Sequence, residues 1–387
     1  MKVILGCDPL LMPLTGIGHY TLNLGQQLLR DPRVDSLELF AHAKFFDNSL
    51  LAPRAEAIKA TSQPQSIVQK IRTAMSRSTM IVKAYEQIMP KLNRWQLRNH
   101  SDAIFHSPNF LMPDFSGKTV VTIHDLSTVR FPEFHPQARV GLVNNTIKRA
   151  CNKADLLVTD AEYVRQELIE TFGVDEDRVV TVHLGAAEQF RPRKESQCAS
   201  TLAEQQLHYK QFFLFVSTLE PRKNLQRLLN AYNNYRQQNV DGLPLVLIGS
   251  SGWQQESFSE LLNALVEKGW VRHLGYVDDH ALAELYASAR ALLFPSIYEG
   301  FGLPALEAMQ SGTAVLTSQD SAMSEIAAAN SLLINPESEL EIEQGIAKLH
   351  SDLEFVRSLE LNGVQRAKDF SWEKCGNEMI QHYQKLK

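Results

Sequence analysis

The chain has 387 residues and a formal net charge of −5; 44% of its residues are hydrophobic and 21% charged. That length fits two domains of ordinary size, and the mild negative charge gives no global reason to expect a nucleic-acid partner. The four cysteines, Cys7, Cys151, Cys198 and Cys375, lie far apart with no C-x-x-C pair. This argues against structural zinc and a disulfide framework, and fits a reducing cytoplasm. No apolar run reaches the ~18–20 residues that span a bilayer. Val3-Ile4-Leu5-Gly6-Cys7 reads as a buried first strand, because the apolar stretch before Cys7 is too short for a secretory signal.

Short apolar strands alternate with helical patterns along the chain, the signature of parallel α/β layers. Strands are predicted at 3–7, 36–40, 103–106, 119–124, 156–159 and 179–182, with helices at 18–29, 138–150 and 161–172. The polar segment 188–210 reads as a linker and a first helix. The pattern then restarts, with strands at 212–217, 245–248, 271–274, 291–295, 314–317 and 332–334, and helices at 225–237, 256–268, 281–289 and 305–311. A last helix starts near Ser371, an N-cap between the apolar anchors Phe370 and Trp372. The expected fold class is α/β, with two doubly wound parallel-sheet units at 1–190 and 191–370 and a terminal helix at 371–387. Open α/β sheets bind ligands outside the carboxyl ends of their strands, so the cleft between the units is the expected site.

Several motifs fall at such strand ends. Thr15-Gly16-Ile17-Gly18-His19-Tyr20-Thr21 opens the first helix; Thr21 stands at the third glycine position, and the loop before Gly16 is too long for a dinucleotide fingerprint. A tight turn and a phosphate-facing helix start both suit Gly16 and Gly18. Thr122-Ile123-His124-Asp125-Leu126-Ser127 ends a buried strand, where His124 can meet a sugar hydroxyl and Asp125 can fix its imidazole; a structural pair is the alternative. His106 ends the preceding strand and reads as a weaker cleft candidate or as a supporting or packing residue. Ser217-Thr218-Leu219-Glu220-Pro221-Arg222-Lys223-Asn224 places two cations after the first strand of the second unit. Gly275-Tyr276-Val277-Asp278-Asp279 precedes a helix for which one aspartate is the N-cap.

The most informative stretch is Tyr298-Glu299-Gly300-Phe301-Gly302-Leu303-Pro304-Ala305-Leu306-Glu307. Its glycines allow close approach to a ligand, and Pro304 suits the first helical position. The helix start can hold phosphate, with Glu299 on the loop before it and Glu307 about one turn inside. Two carboxylates around an anion site suit a nucleotide sugar; a surface helix with a capping glutamate is the plainer alternative. Ser324-Glu325 reads either as part of this site or as a helix-start carboxylate. Asp175-Glu176-Asp177 spells a D-x-D metal motif but lies in a polar turn and reads as solvated.

The spacing Glu299–Glu307 resembles the E-x7-E signature of the retaining glycosyltransferases of family four, which have the GT-B fold. The resemblance covers nearly the whole chain. It implies that Glu299 contacts donor-sugar hydroxyls, Glu307 the ribose diol, and the amides around Phe301, Gly302 and Leu303 the sugar and diphosphate. It further implies that Gly16 and Gly18 face the donor phosphates, that Tyr276 or Val277 meets the base, and that His124 lies at the sugar. Lys223 aligns with the family's diphosphate lysine; Thr218 stands where the arginine is usual, and Arg222 is the nearest replacement. The cations cover the diphosphate, so neither metal nor cofactor is required. Thr-Gly-Ile-Gly-His-Tyr, Ile-His-Asp-Leu-Ser and Leu-Glu-Pro-Arg-Lys-Asn look most like bacterial O-antigen and polysaccharide mannosyltransferases. The implied reaction is transfer of mannose from GDP-mannose, with GDP-rhamnose as the other donor, to a saccharide or lipid-linked saccharide in cell-surface polysaccharide synthesis.

A sugar-nucleotide epimerase of the same fold would act on the donor without an acceptor, and a two-lobed binding protein would not act on it at all. Residues 65–100 carry seven basic side chains against Glu86 alone, interleaved with apolar ones. Such a stretch suits peripheral docking on the anionic inner face of the plasma membrane; a helix with a basic solvent face is the alternative.

Overall fold

The computed structural model describes residues 1–12, 14, 16–52, 79–250 and 256–386. Two sheets organise it. The first runs in the order β3-β2-β1-β4-β5-β6-β7, built from β1 (Lys2–Gly6), β2 (Ser36–Ala41), β3 (Lys44–Phe46), β4 (Ile104–Ser107), β5 (Lys118–Ile123), β6 (Leu156–Thr159) and β7 (Val179–Thr181). The second runs β10-β9-β8-β11-β12-β13, from β8 (Phe213–Val216), β9 (Leu245–Ile248), β10 (Val271–Gly275), β11 (Ala291–Phe294), β12 (Ala314–Ser318) and β13 (Leu332–Ile334). The α/β expectation of two doubly wound units holds.

The central strands are parallel and buried along almost their whole length. Helices cover both faces of such a sheet, so its strands read as continuous apolar runs such as Leu-Leu-Val-Thr and Ala-Leu-Leu-Phe. The exception is β3, an antiparallel edge strand paired to β2. The turn that makes it uses His42 and Ala43, both at positive φ (49° and 58°). The usual turn residues are Asn and Gly, so the sequence carried no signal for it. Two helices after β13, Glu339–Ser351 and Leu353–Ala367, were also absent from the sequence reading.

In each sheet the strand order reverses beside the first strand, between β1 and β4 and between β8 and β11. These are the switch points where a crevice opens beyond the strand ends. The two crevices meet: a side-chain carbon on Gly300 would lie 1.8 Å from the His124 carbonyl oxygen.

The last helix, Trp372–Lys385, starts at the Ser371 N-cap and lies against the first helix, Gly16–Arg30. Trp372, Cys375, Met379, Ile380 and Tyr383 form its buried face. Tyr383 is hydrogen-bonded to His106 Nδ1, and His106 Nε2 lies 2.8 Å from Thr122 Oγ1. Burial, with His124 nearby, lowers the His106 pKa to about 3, so it is a neutral packing residue, as expected. Among the described residues no helix is long and apolar enough to cross a membrane.

Candidate active site

The cation loop follows β8 as a short turn, Pro221–Lys223, closed by Asn224 in the left-handed region (φ 62°). Asn224 Nδ2 donates to Pro295 O (2.9 Å) and Pro336 O (2.7 Å), which fixes the loop against the end of β11. Lys223 Nζ then reaches Glu299 Oε1 at 2.6 Å, and Arg222 Nη1 reaches Glu299 Oε2 at 3.0 Å. Arg222 also donates to Tyr298 O (2.7 Å) and pairs with Glu220 (2.8 Å). Burial alone would raise the Glu299 pKa; Lys223 and Arg222 outweigh it and keep the carboxylate ionised. Burial and the neighbouring Arg222 lower the Lys223 pKa. The sequence reading gave the glutamate to the sugar and the cations to the diphosphate; the fold ties all three to one another. Thr218, at the usual arginine position, is exposed.

The helix after Glu299 is Leu303–Gln310, so Pro304 is its second residue and not its first. Its cap is Gly302 at φ 93°, a conformation that L side chains rarely adopt. Phe301 is buried against His183 and Phe370, so only its backbone can face a ligand. Leu303 and Glu307 are half-buried. Burial pushes the Glu307 carboxyl up to about 8, opposed by the nearby Tyr286 hydroxyl, which has no other partner. Near neutral pH this carboxyl therefore carries a proton.

His124 is held at both ring nitrogens. Nε2 lies 2.8 Å from Pro108 O, which can only accept, so Nε2 carries a hydrogen. Nδ1 lies 2.7 Å from Asp160 Oδ2. This corrects the sequence reading: Asp160, at the end of β6, fixes the imidazole, and Asp125 does not. Asp125 accepts from Ser127 N at 2.9 Å. Burial tends to raise the Asp125 pKa, but Arg222 and the Ser127 contacts hold it below the usual range. Burial would lower the His124 pKa, but Asp160 outweighs it and shifts it up; burial shifts Asp160 up. Both ring nitrogens of His124 are thus engaged within the protein.

The remaining expected residues divide clearly. Gly16 has open space where a side chain would stand, whereas at Gly18 a side-chain carbon would meet Leu14 at 2.9 Å, so Gly18 serves packing. Tyr276 is exposed on the rim and Val277 is half-buried against the core. Asp278 is the N-cap, accepting from His280 N and Ala281 N at 2.9 Å. Asp175 accepts from Asp177 N at 3.1 Å, so the D-x-D string is a capped turn.

Glu325 stands in the first turn of the helix Ala322–Ala327, as the helix-start reading expects, and it has a further role. Its carboxylate accepts from Glu162 N (3.0 Å) and Tyr163 N (2.9 Å), capping the helix Glu162–Phe172 of the other unit, and lies 2.8 Å from His183 Nε2. Only spatial proximity reveals that role, since 163 residues separate Glu325 from Glu162.

Two facing doubly wound parallel-sheet units place the molecule in the GT-B fold class. The comparisons agree with that class. Residues 202–366 match the glycosyl transferases group 1 family, and residues 15–189 the glycosyltransferase family 4. An O-antigen chain mannosyltransferase B of Escherichia coli is 34% identical over 386 residues, covering 100% of each chain. A serotype-specific mannosyltransferase WbdA of Escherichia coli is 28% identical over 74% of this chain and 36% of its own length. Among solved structures, Anabaena HepE in complex with UDP and glucose superposes with a TM-score of 0.67 at 16% identity, covering 100% of both chains. This chain belongs to the group 1 glycosyltransferases; it is a glycosyltransferase of the GT-B fold.

Proposed function

We propose that the enzyme transfers mannose from GDP-mannose, with retention at the anomeric carbon, to a saccharide or lipid-linked saccharide in cell-surface polysaccharide synthesis. The observation that carries this reading is the cluster of Lys223, Arg222 and Glu299 at the start of the helix that bears Glu307. Cations there stabilise a diphosphate as it leaves, when its charge develops. The sugar comes from the full-length similarity to an O-antigen mannosyltransferase.

In this reading the donor lies on the second unit, 191–370, and the acceptor on the first, 1–190. Glu307 holds the ribose diol and Glu299 the sugar hydroxyls. The bond between the anomeric carbon and the diphosphate oxygen breaks, the acceptor oxygen bonds to the same face, and its proton passes to the departing phosphate oxygen. GDP and the mannoside are the products.

The helix Thr79–Leu97 supports peripheral docking on an anionic membrane. Its Ile88, Leu92 and Trp95 are exposed beside Lys91, Arg94 and Arg98, and the Arg98 guanidinium stacks 4.3 Å over the Trp95 ring. Residues 65–78 of the expected basic stretch lie outside the described residues.

Calorimetry with GDP separates the two glutamates. Glu307→Ala should lose GDP affinity. Glu299→Ala should bind GDP at least as tightly as wild type, since it releases Lys223 from its ion pair and leaves Arg222 paired with Glu220, yet lose transfer from GDP-mannose. Equal loss of GDP binding in both variants would overturn the division of roles.

A further inference from the structure

Residues Tyr298, Glu299 and Gly300 each touch something different. Tyr298 is 2% exposed. Its hydroxyl donates to Glu167 Oε2 at 2.6 Å and accepts from Leu126 N at 3.1 Å. Both partners belong to the first unit: Leu126 follows His124 and Asp125, and Glu167 lies in the helix Glu162–Phe172. The Tyr298 carbonyl accepts from Arg222 in its own unit. Glu299 holds both cations, and the Gly300 backbone presses on the His124 carbonyl. The same first-unit helix is gripped a second time by Glu325 at its amino end.

We propose that Tyr298 is a positioning residue: its hydroxyl makes the placement of Glu299, and with it the setting of Lys223 and Arg222, depend on contact between the two units. The proposal rests on the donor role given to Glu299 above. Packing alone does not explain the hydroxyl, since phenylalanine fills the same volume. The ring already has aromatic neighbours, Phe131 at 5.5 Å and Tyr163 at 6.4 Å. The hydroxyl adds two directional bonds across the cleft, one of them to a buried carboxylate whose other oxygen lies 3.2 Å from Arg130 Nε. Separating the units breaks both bonds, and the peptide that carries Glu299 then loses its external reference. A glutamate placed only in the closed arrangement meets the sugar when the acceptor unit is in position, which keeps water from the donor while the cleft is open.

The test uses the full chain with GDP-mannose as donor and GDP as the binding probe. Tyr298→Phe should keep GDP affinity within about twofold and lose roughly tenfold or more in kcat, a split that a general loss of fold would not give. Glu167→Ala should reproduce part of the loss, and the double variant should lose no more than Tyr298→Phe alone, because the Glu167 bond is one of the two that the hydroxyl makes. Glu167→Gln, whose carbonyl oxygen still accepts, should retain most of the turnover. Hydrogen exchange at the Leu126 amide should accelerate in Tyr298→Phe while β5 stays protected. Wild-type kcat in Tyr298→Phe, or losses that simply add in the double variant, would overturn the proposal. If wild type failed to consume GDP-mannose, the donor reading would fall instead; the exchange measurement still decides for Tyr298, and an unchanged Leu126 amide would sink it.

Discussion

A carboxylate that bridges two cations has to yield or share them when a diphosphate arrives. Lys223 and Arg222 both pair with Glu299, so in the proposed reading donor binding exchanges one anion for another. Lys223→Ala should weaken GDP by roughly 1.5–3 kcal/mol, the range for a hydrogen bond to a charged group; calorimetry with unchanged affinity would remove the loop from the site. Glu307 gives a pH dependence. Burial raises its carboxyl from the ordinary 4.5 to about 8, so the folded protein holds a proton that the unfolded chain releases. Its contribution to stability is complete below pH 4.5 and is lost as the pH rises toward 8, with a slope of at most about 1.4 kcal/mol per unit. Glu307→Gln should flatten that decline in thermal melts between pH 5 and pH 8; an unchanged decline would assign it to other groups. These residues were legible because Glu299, Glu307, Arg222 and Lys223 stand in local strings beside readable strand ends. Asp160 was not, because it meets His124 only through the pairing of β5 with β6. The available signal was a carboxylate closing the apolar run Leu-Leu-Val-Thr.

At the scale of elements, the parallel strands were readable because burial on both faces demands unbroken apolar runs, and most predicted ends agree with the structure within one or two residues. The edge strand β3 was hidden by a turn made without glycine or asparagine. The helices after β13 carry a helical apolar pattern, with Ile342, Ile346 and Leu349 buried in the first, and it went unread. Helix Thr79–Leu97 leads to a prediction about surfaces. Each basic residue near an anionic bilayer contributes about 1 kcal/mol, within a Debye length of about 8–10 Å. The protein should therefore sediment with anionic vesicles and leave them as salt rises, and Lys91→Ala/Arg94→Ala/Arg98→Ala should weaken that binding without changing GDP affinity. Equal sedimentation of wild type with neutral and anionic vesicles would leave the helix as an ordinary solvated face.

The whole molecule is two crevices brought face to face by contacts scattered far apart in sequence. Tyr298 reaches Glu167, Glu325 caps a helix of the other unit, and the last helix returns to the first through Tyr383 and His106. That assembly sets Gly300, next to Glu299, against the His124 carbonyl, which supports the proposed reading of the molecule as a donor-cleaving enzyme. The most direct test is nucleoside-diphosphate release from a panel of GDP-mannose, GDP-rhamnose, UDP-glucose and dTDP-glucose with a lipid-linked saccharide acceptor, for wild type and Lys223→Ala. The account predicts release from GDP-mannose by wild type and its loss in Lys223→Ala. Release from the UDP or dTDP donors alone, or equal release by the variant, would contradict it.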